Sequence, residues 1–227
     1  MGDSKVGGSG RTGRERGDSR PLSVHVSVIR HRLLDEAASL FVGHPLTDTD
    51  IAGLTGALDG ATITTYVSRT AGRIVGIDFV VEHPQLDGDS TRSLRREDDG
   101  TLTLQLESLT LRPEARGKGT GARILAQEVQ ASERLGVHRI TLVAGGAPGG
   151  DMNGYYTWPR LGFNASLGRA SQRYGAPDLH TLFRQPGGAE KWKREGAAMV
   201  MEFNPRRRSP HRQVLDAYLR EKGIRLG

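Results

Sequence analysis

The sequence predicts a mixed α/β protein with a central β-sheet flanked by helices, and three observations support this fold class. Apolar residues alternate with polar ones in several segments, such as 61–69 and 72–83, and this two-residue period is typical of strands. Segments with the spacing of an amphipathic helix, such as 119–136, lie between them. Glycine contributes 31 of the 227 residues, about twice its usual share, which indicates many tight turns.

The N-terminal half is predicted to begin with a tail and to continue with strands and helices. Residues 1–21 hold glycine, serine and charged residues without apolar periodicity, so we expect a disordered basic tail. Residues 84–100 are polar and rich in Asp and Arg, so we expect an exposed loop. Between these segments we predict a strand over 22–29 and helices over 31–41 and 47–58. Thr47 or Asp48 would cap the second helix. A hairpin formed by 61–69 and 72–83 follows.

A second group of elements follows the predicted loop. Residues 164–196 fit either a lid over a site or a cover for the edge of the sheet. We expect the main domain to span 22–205 and a basic helical extension to span 206–227. The predicted elements are strands over 101–111, over 138–146, near 164 and over 197–205, helices over 119–136 and 211–224, and a short aromatic helix or turn over 153–163.

The composition and charge exclude several classes of protein. The chain has no Cys, so it has no disulfide, no thiolate nucleophile and no cysteine-ligated metal site, and a reducing cytoplasm suits it. No apolar run approaches the roughly 18–20 residues of a membrane-spanning helix, and residues 1–21 lack the apolar segment of a secretory signal. The net charge is +6, which favours an anionic partner: nucleic acid, a phosphorylated cofactor or an acidic surface.

The strand predicted over 101–111 changes the phase of its apolar residues. Side chains alternate strictly between the two faces of a straight strand, so leucines at both even and odd positions cannot all face one side. One extra residue near Glu107 and Ser108, a β-bulge, restores the phase, and a strand buried on both faces is the alternative. The leucines concerned are Leu102, Leu104, Leu106, Leu109 and Leu111.

The segment LTLRPEARGKGTGARIL (109–125) places a strand, a glycine-rich loop and a helix N-terminus in succession. Glycines let the backbone turn and approach a ligand closely. The unpaired N–H groups of the loop and of the first helical turn, together with the helix dipole, favour an anion there. The loop is therefore suited to a pyrophosphate. The residues that contribute glycine or positive charge are Arg116, Gly117, Lys118, Gly119 and Gly121.

Two familiar phosphate loops do not match this segment. A P-loop needs Gly-Lys-Ser/Thr at its end, whereas Lys118 stands between glycines. A dinucleotide fingerprint needs Gly-x-Gly-x-x-Gly, and Ala122 occupies its last position. No acidic residue for a ribose follows at the expected distance of about 20 residues.

The segment resembles the acetyl-CoA signature of the GCN5-related N-acetyltransferase (GNAT) superfamily, Arg/Gln-x-x-Gly-x-Gly/Ala. Arg116-Gly-Lys-Gly119-Thr-Gly121 matches each fixed position. The context agrees, because a strand precedes the loop and a long helix, a strand and an aromatic segment ending at Phe163 follow it. The resemblance covers about 24–165 and implies a central, mostly antiparallel mixed sheet. It also implies a bulged strand that separates from the next strand and opens a cleft for the pantetheine arm of CoA.

The resemblance implies which residues bind acetyl-CoA. The backbone of Leu109, Thr110 and Leu111 would pair with the pantetheine arm as a neighbouring strand does. Asn153 would hydrogen-bond the cofactor. The backbone amides that would hold the pyrophosphate belong to Arg116, Gly117, Lys118, Gly119, Thr120 and Gly121.

Acetyl transfer to an amine also needs a base for the amine proton and an acid for the thiolate. Glu107 is the candidate base, because it lies at the predicted bulge, where family members often hold a carboxylate; an exposed strand carboxylate is the alternative. Asp78 and Glu82 on the earlier strand are the other candidates, followed by His83. The family commonly has a Tyr acid where this chain has Trp158, followed by Pro159, and an indole is no useful acid. Tyr155 or Tyr156 would then reach the sulfur, unless these aromatics only line the core.

The leading hypothesis is an N-acetyltransferase that moves acetyl from acetyl-CoA directly to a primary amine, because a chain without Cys has no thiol to form an acyl-enzyme. The alternative is a GNAT-like module that binds CoA or nucleic acid without turnover. Its basic tails and the run RRR at 206–208 would then contact nucleic acid weakly, or else form solvated surface. The expected acceptor is a small molecule or peptide, no metal is implied, and a homodimer is frequent in the family.

Overall fold

A computed structural model describes residues 25–224 of the chain. The tail predicted over 1–21, the start of the strand predicted over 22–29 and the end of the C-terminal extension lie outside the described residues. The described part holds a seven-stranded sheet in which strands follow their chain order. These strands are β1 Ser27–Ile29, β2 Thr62–Thr70, β3 Arg73–Glu82, β4 Ser90–Arg96, β5 Leu102–Ser108, β6 Arg139–Ala144 and β7 Met199–Phe203.

The sheet is mixed and mostly antiparallel, which confirms the predicted fold class. β1 pairs with β2 and β5 with β6 in parallel, whereas the other neighbouring strands are antiparallel. The parallel β5–β6 pair needs a crossover connection, and a helix supplies it. The helices are α1 Leu34–Val42, α2 Asp48–Thr55, α3 Thr120–Arg134, α4 Gly154–Arg160, α5 Ser171–Tyr174, α6 Leu179–Arg184, α7 Gly188–Glu195 and α8 Pro210–Glu221.

Side-chain caps explain where two of the helices begin. Thr47 Oγ1 accepts a hydrogen bond from the Asp50 N–H at 3.1 Å, and the Asp50 carboxylate accepts one from the Thr47 N–H at 3.0 Å. This capping box fixes the start of α2. Ser209 caps α8 by accepting from the Arg212 N–H at 3.0 Å. The helices predicted over 31–41, 47–58, 119–136 and 211–224 are confirmed as α1, α2, α3 and α8.

Two sequence predictions are wrong. The loop predicted over 84–100 contains β4, a central strand of the sheet. Its apolar face is hard to recognise because Arg92, which is fully buried, stands where an apolar neighbour of Leu94 is expected. The strand predicted near 164 is a single bridge between Asn164 and Glu202, because the chain then turns into the helices of 164–196.

The two faces of the sheet differ in exposure. One face, here called the covered face, packs into the hydrophobic core beneath the helices. The opposite face, here called the open face, keeps Val143 and Val200 71% and 66% exposed. The register places Ile63, Phe79, Leu94, Leu104 and Ile140 on the covered face, and Tyr66, Asp78, Ser93, Gln105 and Thr141 on the open face.

The C-terminal third packs onto the rest of the fold through buried contacts. Trp192 of α7 donates its indole N–H to the Tyr155 carbonyl of α4 at 2.8 Å. Leu215 of α8 is fully buried in the main core. Beyond α8, Ile224 reaches the start of α3, where a Cβ placed on Gly119 would lie 2.8 Å from its Cδ1 atom.

Candidate active site

β5 carries a bulge where the leucine pattern predicts one. Glu107 is the extra residue, because it has no partner between two consecutive pairs of the β4–β5 ladder. Those pairs are Arg92 with Leu106 and Thr91 with Ser108. Beyond the bulge, Leu109 and Leu111 pack against the core again. The bulge therefore restores the phase of the leucines and turns the Glu107 side chain to the open face.

β5 and β6 separate just beyond the bulge. Their last pair is Leu106 with Leu142, after which β6 continues beside β7 as far as Ala144. The chain that leaves β5 turns the other way, since the Thr110 carbonyl accepts a hydrogen bond from the Asp87 N–H at 2.8 Å. A gap therefore opens between the two parallel strands.

The backbone that borders this gap has unpaired peptide groups. Successive peptide groups of an extended chain point to opposite sides, so Leu109 and Leu111 face the gap when Thr110 faces Asp87. Within the described residues, the N–H and C=O of Leu109 and the N–H of Leu111 have no hydrogen-bond partner. The Leu111 carbonyl accepts from Arg116 Nε at 2.7 Å. The edge is thus free to pair with an extended ligand at Leu109.

The loop between β5 and α3 presents a row of unpaired N–H groups. Gly117 and Gly119 adopt φ of +73° and +77°, a left-handed conformation that favours glycine. Gly119 caps the 15-residue helix α3 without a side chain, and the first N–H bonded within the helix is that of Arg123, to the Gly119 carbonyl at 3.0 Å. The N–H groups from Gly117 to Ala122 therefore have no acceptor within residues 25–224, at the positive end of the helix dipole. The Arg116 N–H, which was predicted to join them, instead donates to the Pro113 carbonyl at 3.2 Å.

The loop has room for a ligand at Gly121. A Cβ placed there would meet only Leu111 Cδ1, at 3.8 Å, and its φ lies outside the left-handed region. Arg123 Nη2 donates to the Lys118 carbonyl at 2.9 Å. This hydrogen bond holds the loop in place without using any of its N–H groups. Arg116 and Lys118 are exposed beside them. The loop thus fits an anion of the pyrophosphate kind.

Glu107 belongs to a hydrogen-bonded network on the open face. Ser93 Oγ lies 2.6 Å from both Glu107 Oε1 and Asp78 Oδ1. Burial acts to raise the pKa of Asp78, but hydrogen bonds from Ser68, Ser93 and Arg95 outweigh it and hold this pKa below its usual range. A hydroxyl has one proton, and Asp78 keeps two other donors. The Ser93 hydroxyl therefore donates to either Asp78 or Glu107, and it links the two carboxylates in one network.

A buried ion pair lies beneath the bulge. The Arg92 and Glu128 side chains are 0% and 1% exposed, with Nε and Oε1 2.6 Å apart. Arg92 Nη1 also donates to the carbonyls of Thr91 and Ser108 at 2.9 and 2.7 Å, the pair next to the bulge. Burial raises the pKa of Glu128, and the charge of Arg92 opposes this. The pair connects α3 to the strand that carries Glu107.

The two tyrosines of α4 point in different directions. Tyr155 is buried, and its hydroxyl donates to the Lys193 carbonyl at 2.8 Å. Tyr156 is half-buried, with the Arg160 guanidinium 5.4 Å from its ring centre. The Tyr156 hydroxyl has no hydrogen-bond partner among residues 25–224. Of the two, only Tyr156 has a hydroxyl that is not already committed to a protein carbonyl.

Asn153 and Trp158 lie at opposite ends of α4. Asn153 bridges to Gly146 just after β6 and accepts a hydrogen bond from Thr157 Oγ1 at 3.2 Å. Trp158 packs edge-on against Phe163, with 5.3 Å between ring centres. The residue at the family's Tyr position therefore belongs to an aromatic cluster of the core.

Three of the predicted groups share one end of the β5–β6 pair, whereas the tyrosines of α4 contact Lys193, Phe183 and Arg160. The phosphate-type loop, the free backbone of Leu109 and the Glu107 carboxylate all follow the point where these strands separate. Sequence reasoning missed Ser93 and Arg92, because both lie in the segment predicted as a loop. The alternation of Arg92 and Leu94 with serine is the signal that could have revealed a strand.

A cavity of about 460 Å³ opens on the open face beside this site. It runs along β6 and β7 from Arg139 to Val200, and Val200 pairs with Val143, one residue beyond the last β5–β6 pair. Measured along the strands, the cavity therefore extends as far as the position of Glu107. Much of its lining is neutral and polar: Thr103, Gln105, Thr141, Asn164 and Ser166.

Comparison with known proteins finds similarity only among solved structures. No family model and no curated protein matches the chain. A GNAT family acetyltransferase from Elizabethkingia anophelis with acetyl-CoA bound is 13% identical, with 64% of this chain and 99% of that chain covered and a TM-score of 0.33. A nourseothricin acetyltransferase is 18% identical, with 71% and 96% covered and a TM-score of 0.33. A GNAT family acetyltransferase from Staphylococcus aureus is 11% identical, with 78% and 97% covered and a TM-score of 0.32.

Among residues 25–224, no three His, Asp or Glu side chains are grouped so as to hold a metal ion. No helix in the same range is long and apolar enough to cross a membrane.

Proposed function

We propose that the protein is an N-acetyltransferase of the GNAT type, which transfers acetyl directly from acetyl-CoA to a primary amine. One observation carries this proposal: a bulged strand with a carboxylate and a loop of unpaired N–H groups both follow the point where two parallel strands separate. The loop suits a pyrophosphate, the gap suits an extended arm, and the carboxylate suits an amine proton.

The proposed binding of acetyl-CoA uses the backbone more than side chains. The N–H groups from Gly117 to Ala122 would bind the pyrophosphate, with Arg116 and Lys118 adding charge. The N–H and C=O of Leu109 would pair with the amides of the pantetheine arm in the manner of a β-strand. Asn153 would add a side-chain hydrogen bond near the end of β6.

In the proposed reaction, the amine nitrogen forms a bond to the thioester carbonyl carbon and the carbon–sulfur bond breaks. Glu107, which lies in the network with Ser93, takes the proton that the amine must lose, directly or through one water. The N–H groups that border the gap are placed to polarise the carbonyl oxygen. The leaving thiolate takes a proton from Tyr156. Tyr155 is the weaker candidate for this acid, because its hydroxyl bonds to the Lys193 carbonyl.

Replacing Glu107 by Gln tests the proposal. Release of free CoA from acetyl-CoA is followed with a panel of primary amines, for the wild type and for Glu107→Gln. We expect kcat to fall by about 10²–10⁴ in the variant, the usual contribution of a general base, while the affinity for acetyl-CoA stays unchanged. Glu114→Gln, an exposed substitution in the turn before the loop, is the control and leaves kcat as it is.

Two results would count against this function. Equal kcat in the wild type and Glu107→Gln would remove Glu107 from the chemistry. Tight binding of CoA without turnover of any amine would favour the non-catalytic module instead.

A further inference from the structure

The charges in the open-face cavity are not all compensated. Arg139 and Glu97 form an ion pair of 3.5 Å, and Arg139 Nε also donates to Thr103 Oγ1 at 3.2 Å. Glu202 lines the same cavity. Within residues 25–224, no Lys, Arg or His lies within ion-pair distance of its carboxylate. One negative charge therefore remains available to a ligand.

The backbone holds Glu202 firmly in place. It pairs with Thr141 across the β6–β7 ladder. On its other side, its N–H and C=O exchange two hydrogen bonds of 2.9 Å with the backbone of Asn164. A residue paired on both sides has a fixed backbone, so the base of the Glu202 side chain is held beside the neutral hydroxyl and amide groups of the cavity.

The register gives the distance from Glu202 to the proposed base. Glu202 pairs with Thr141, Thr141 pairs with Gln105, and Glu107 lies two residues further along β5. Across the sheet the two residues are separated by two strand spacings of about 4.8 Å each. Along the strands they are separated by two residues of about 3.3 Å each. These perpendicular displacements put the Cα atoms of Glu107 and Glu202 about 12 Å apart. Since both side chains stand on the open face, the two carboxylates can bind groups at the ends of one extended ligand.

Two arginines of the open face already have partners, and burial lowers the pKa of the His211 ring, which interacts with Glu202. Arg95 pairs with Asp78, and Arg139 pairs with Glu97. Glu107 and Glu202 therefore set the charge that an acceptor meets. An amine with a second positive charge suits this arrangement better than a neutral or acidic one, because it brings a cation to each carboxylate.

We infer that the acceptor is a diamine or polyamine whose second ammonium group binds Glu202 while its reactive amine lies at Glu107. This rests on the proposed acetyl transfer and specifies its substrate class. Glu202 then determines specificity, and the neutral polar groups between the two carboxylates bind the middle of the acceptor. A chain of about the length of octane spans the distance between the two positions.

Kinetics with matched amines test this inference. Diaminooctane and octylamine are compared as acceptors with the wild type, with Glu202→Gln and with the control Glu190→Gln, an exposed glutamate of α7 outside the cavity. We expect Glu202→Gln to raise KM for diaminooctane about two- to fivefold, as loss of an exposed ion pair does. We expect kcat, the KM for octylamine and the control variant to remain as in the wild type.

Other outcomes overturn the inference, and they distinguish a wrong substrate class from a wrong proposed activity. If Glu202→Gln leaves the KM for diaminooctane unchanged while acetyl transfer proceeds, the substrate class is wrong and the proposed activity stands. If no amine is acetylated, the proposed activity fails, and binding of diaminooctane alone is measured by NMR titration. Binding that weakens in Glu202→Gln but not in Glu190→Gln then supports the cation site. Equal or absent binding overturns it.

Discussion

The loop of residues 116–121 and the network around Glu107 both follow the point where β5 and β6 separate, and they are built from different parts of the chain. The loop consists of backbone N–H groups, glycines and a helix N-terminus, all contiguous in sequence. The network consists of side chains from β3, β4 and β5 that only the sheet brings together. Backbone sites depend on local conformation, whereas side-chain sites depend on register, so the loop and the network should respond to different substitutions.

The largest effect should come from the ion pair beneath the bulge. Arg92→Met leaves Glu128 buried without its partner, so we expect a loss of about 3–5 kcal/mol in the free energy of unfolding. Arg92→Met with Glu128→Leu should recover most of this loss, because an apolar pair replaces the charges. Urea denaturation measures both.

The double variant sharpens the comparison between the loop and the network. It removes the donors to the Thr91 and Ser108 carbonyls, so Glu107 should lose its fixed position and kcat should fall. The affinity for acetyl-CoA should change little, because the loop does not use these groups. A stable double variant with full kcat would show that the bulge does not depend on Arg92.

The tyrosines of α4 provide the next largest effect. Tyr156→Phe should lower kcat about 10²-fold if its hydroxyl protonates the thiolate, with little change in stability. Tyr155→Phe should leave kcat unchanged. It should lower the free energy of unfolding by about 1 kcal/mol, because it removes a hydrogen bond to the Lys193 carbonyl. Steady-state kinetics and denaturation of both variants decide the assignment, and the reverse pattern would transfer the role to Tyr155.

The smallest effect concerns two histidines whose rings share one backbone carbonyl. His180 Nε2 and His211 Nδ1 lie 2.9 and 3.0 Å from the same Gly162 carbonyl. Burial lowers the pKa of both rings; for His211 the neighbouring His180 lowers it further. The unfolded chain therefore takes up protons more readily than the folded one. Their contribution to stability is complete above about pH 6.5, the ordinary histidine pKa, and is lost as the pH falls below it.

A pair of non-titrating substitutions measures this contribution. The double variant His180→Gln/His211→Asn keeps donors to the carbonyl but does not titrate. Between pH 7.5 and 5.5 we expect the free energy of unfolding to fall by about 1–2 kcal/mol more in the wild type than in this double variant. Parallel pH profiles for the two proteins would remove the histidines as the cause. The kcat of both should follow the same pH profile, since neither ring borders the gap.

The cofactor side of this site was more predictable from sequence than the acceptor side, and the reason is physical. The strand, loop and helix of 109–125 lie in one continuous segment, and the leucine phase located the bulge at Glu107 without the structure. Ser93 and Arg92 were missed because β4 has polar residues and a buried arginine where an apolar pattern is expected. Glu202 lies about a hundred residues after Glu107 and two strands away from it, and a local pattern carries no information about such register.

The central claim is that the loop of unpaired N–H groups binds the pyrophosphate of acetyl-CoA, and Gly121 offers the most direct test. Space around it is free and its backbone is not left-handed, so Gly121→Asp should fold, with the carboxylate stabilising the N-terminus of α3. Gly121→Asn adds the same bulk without charge.

Calorimetric titration with acetyl-CoA compares the three proteins. The account predicts micromolar binding to the wild type, weaker binding to Gly121→Asn and at least about a hundredfold loss in Gly121→Asp, because a negative charge faces the pyrophosphate. Equal affinity in all three proteins, or no binding to a well-folded wild type, would contradict it.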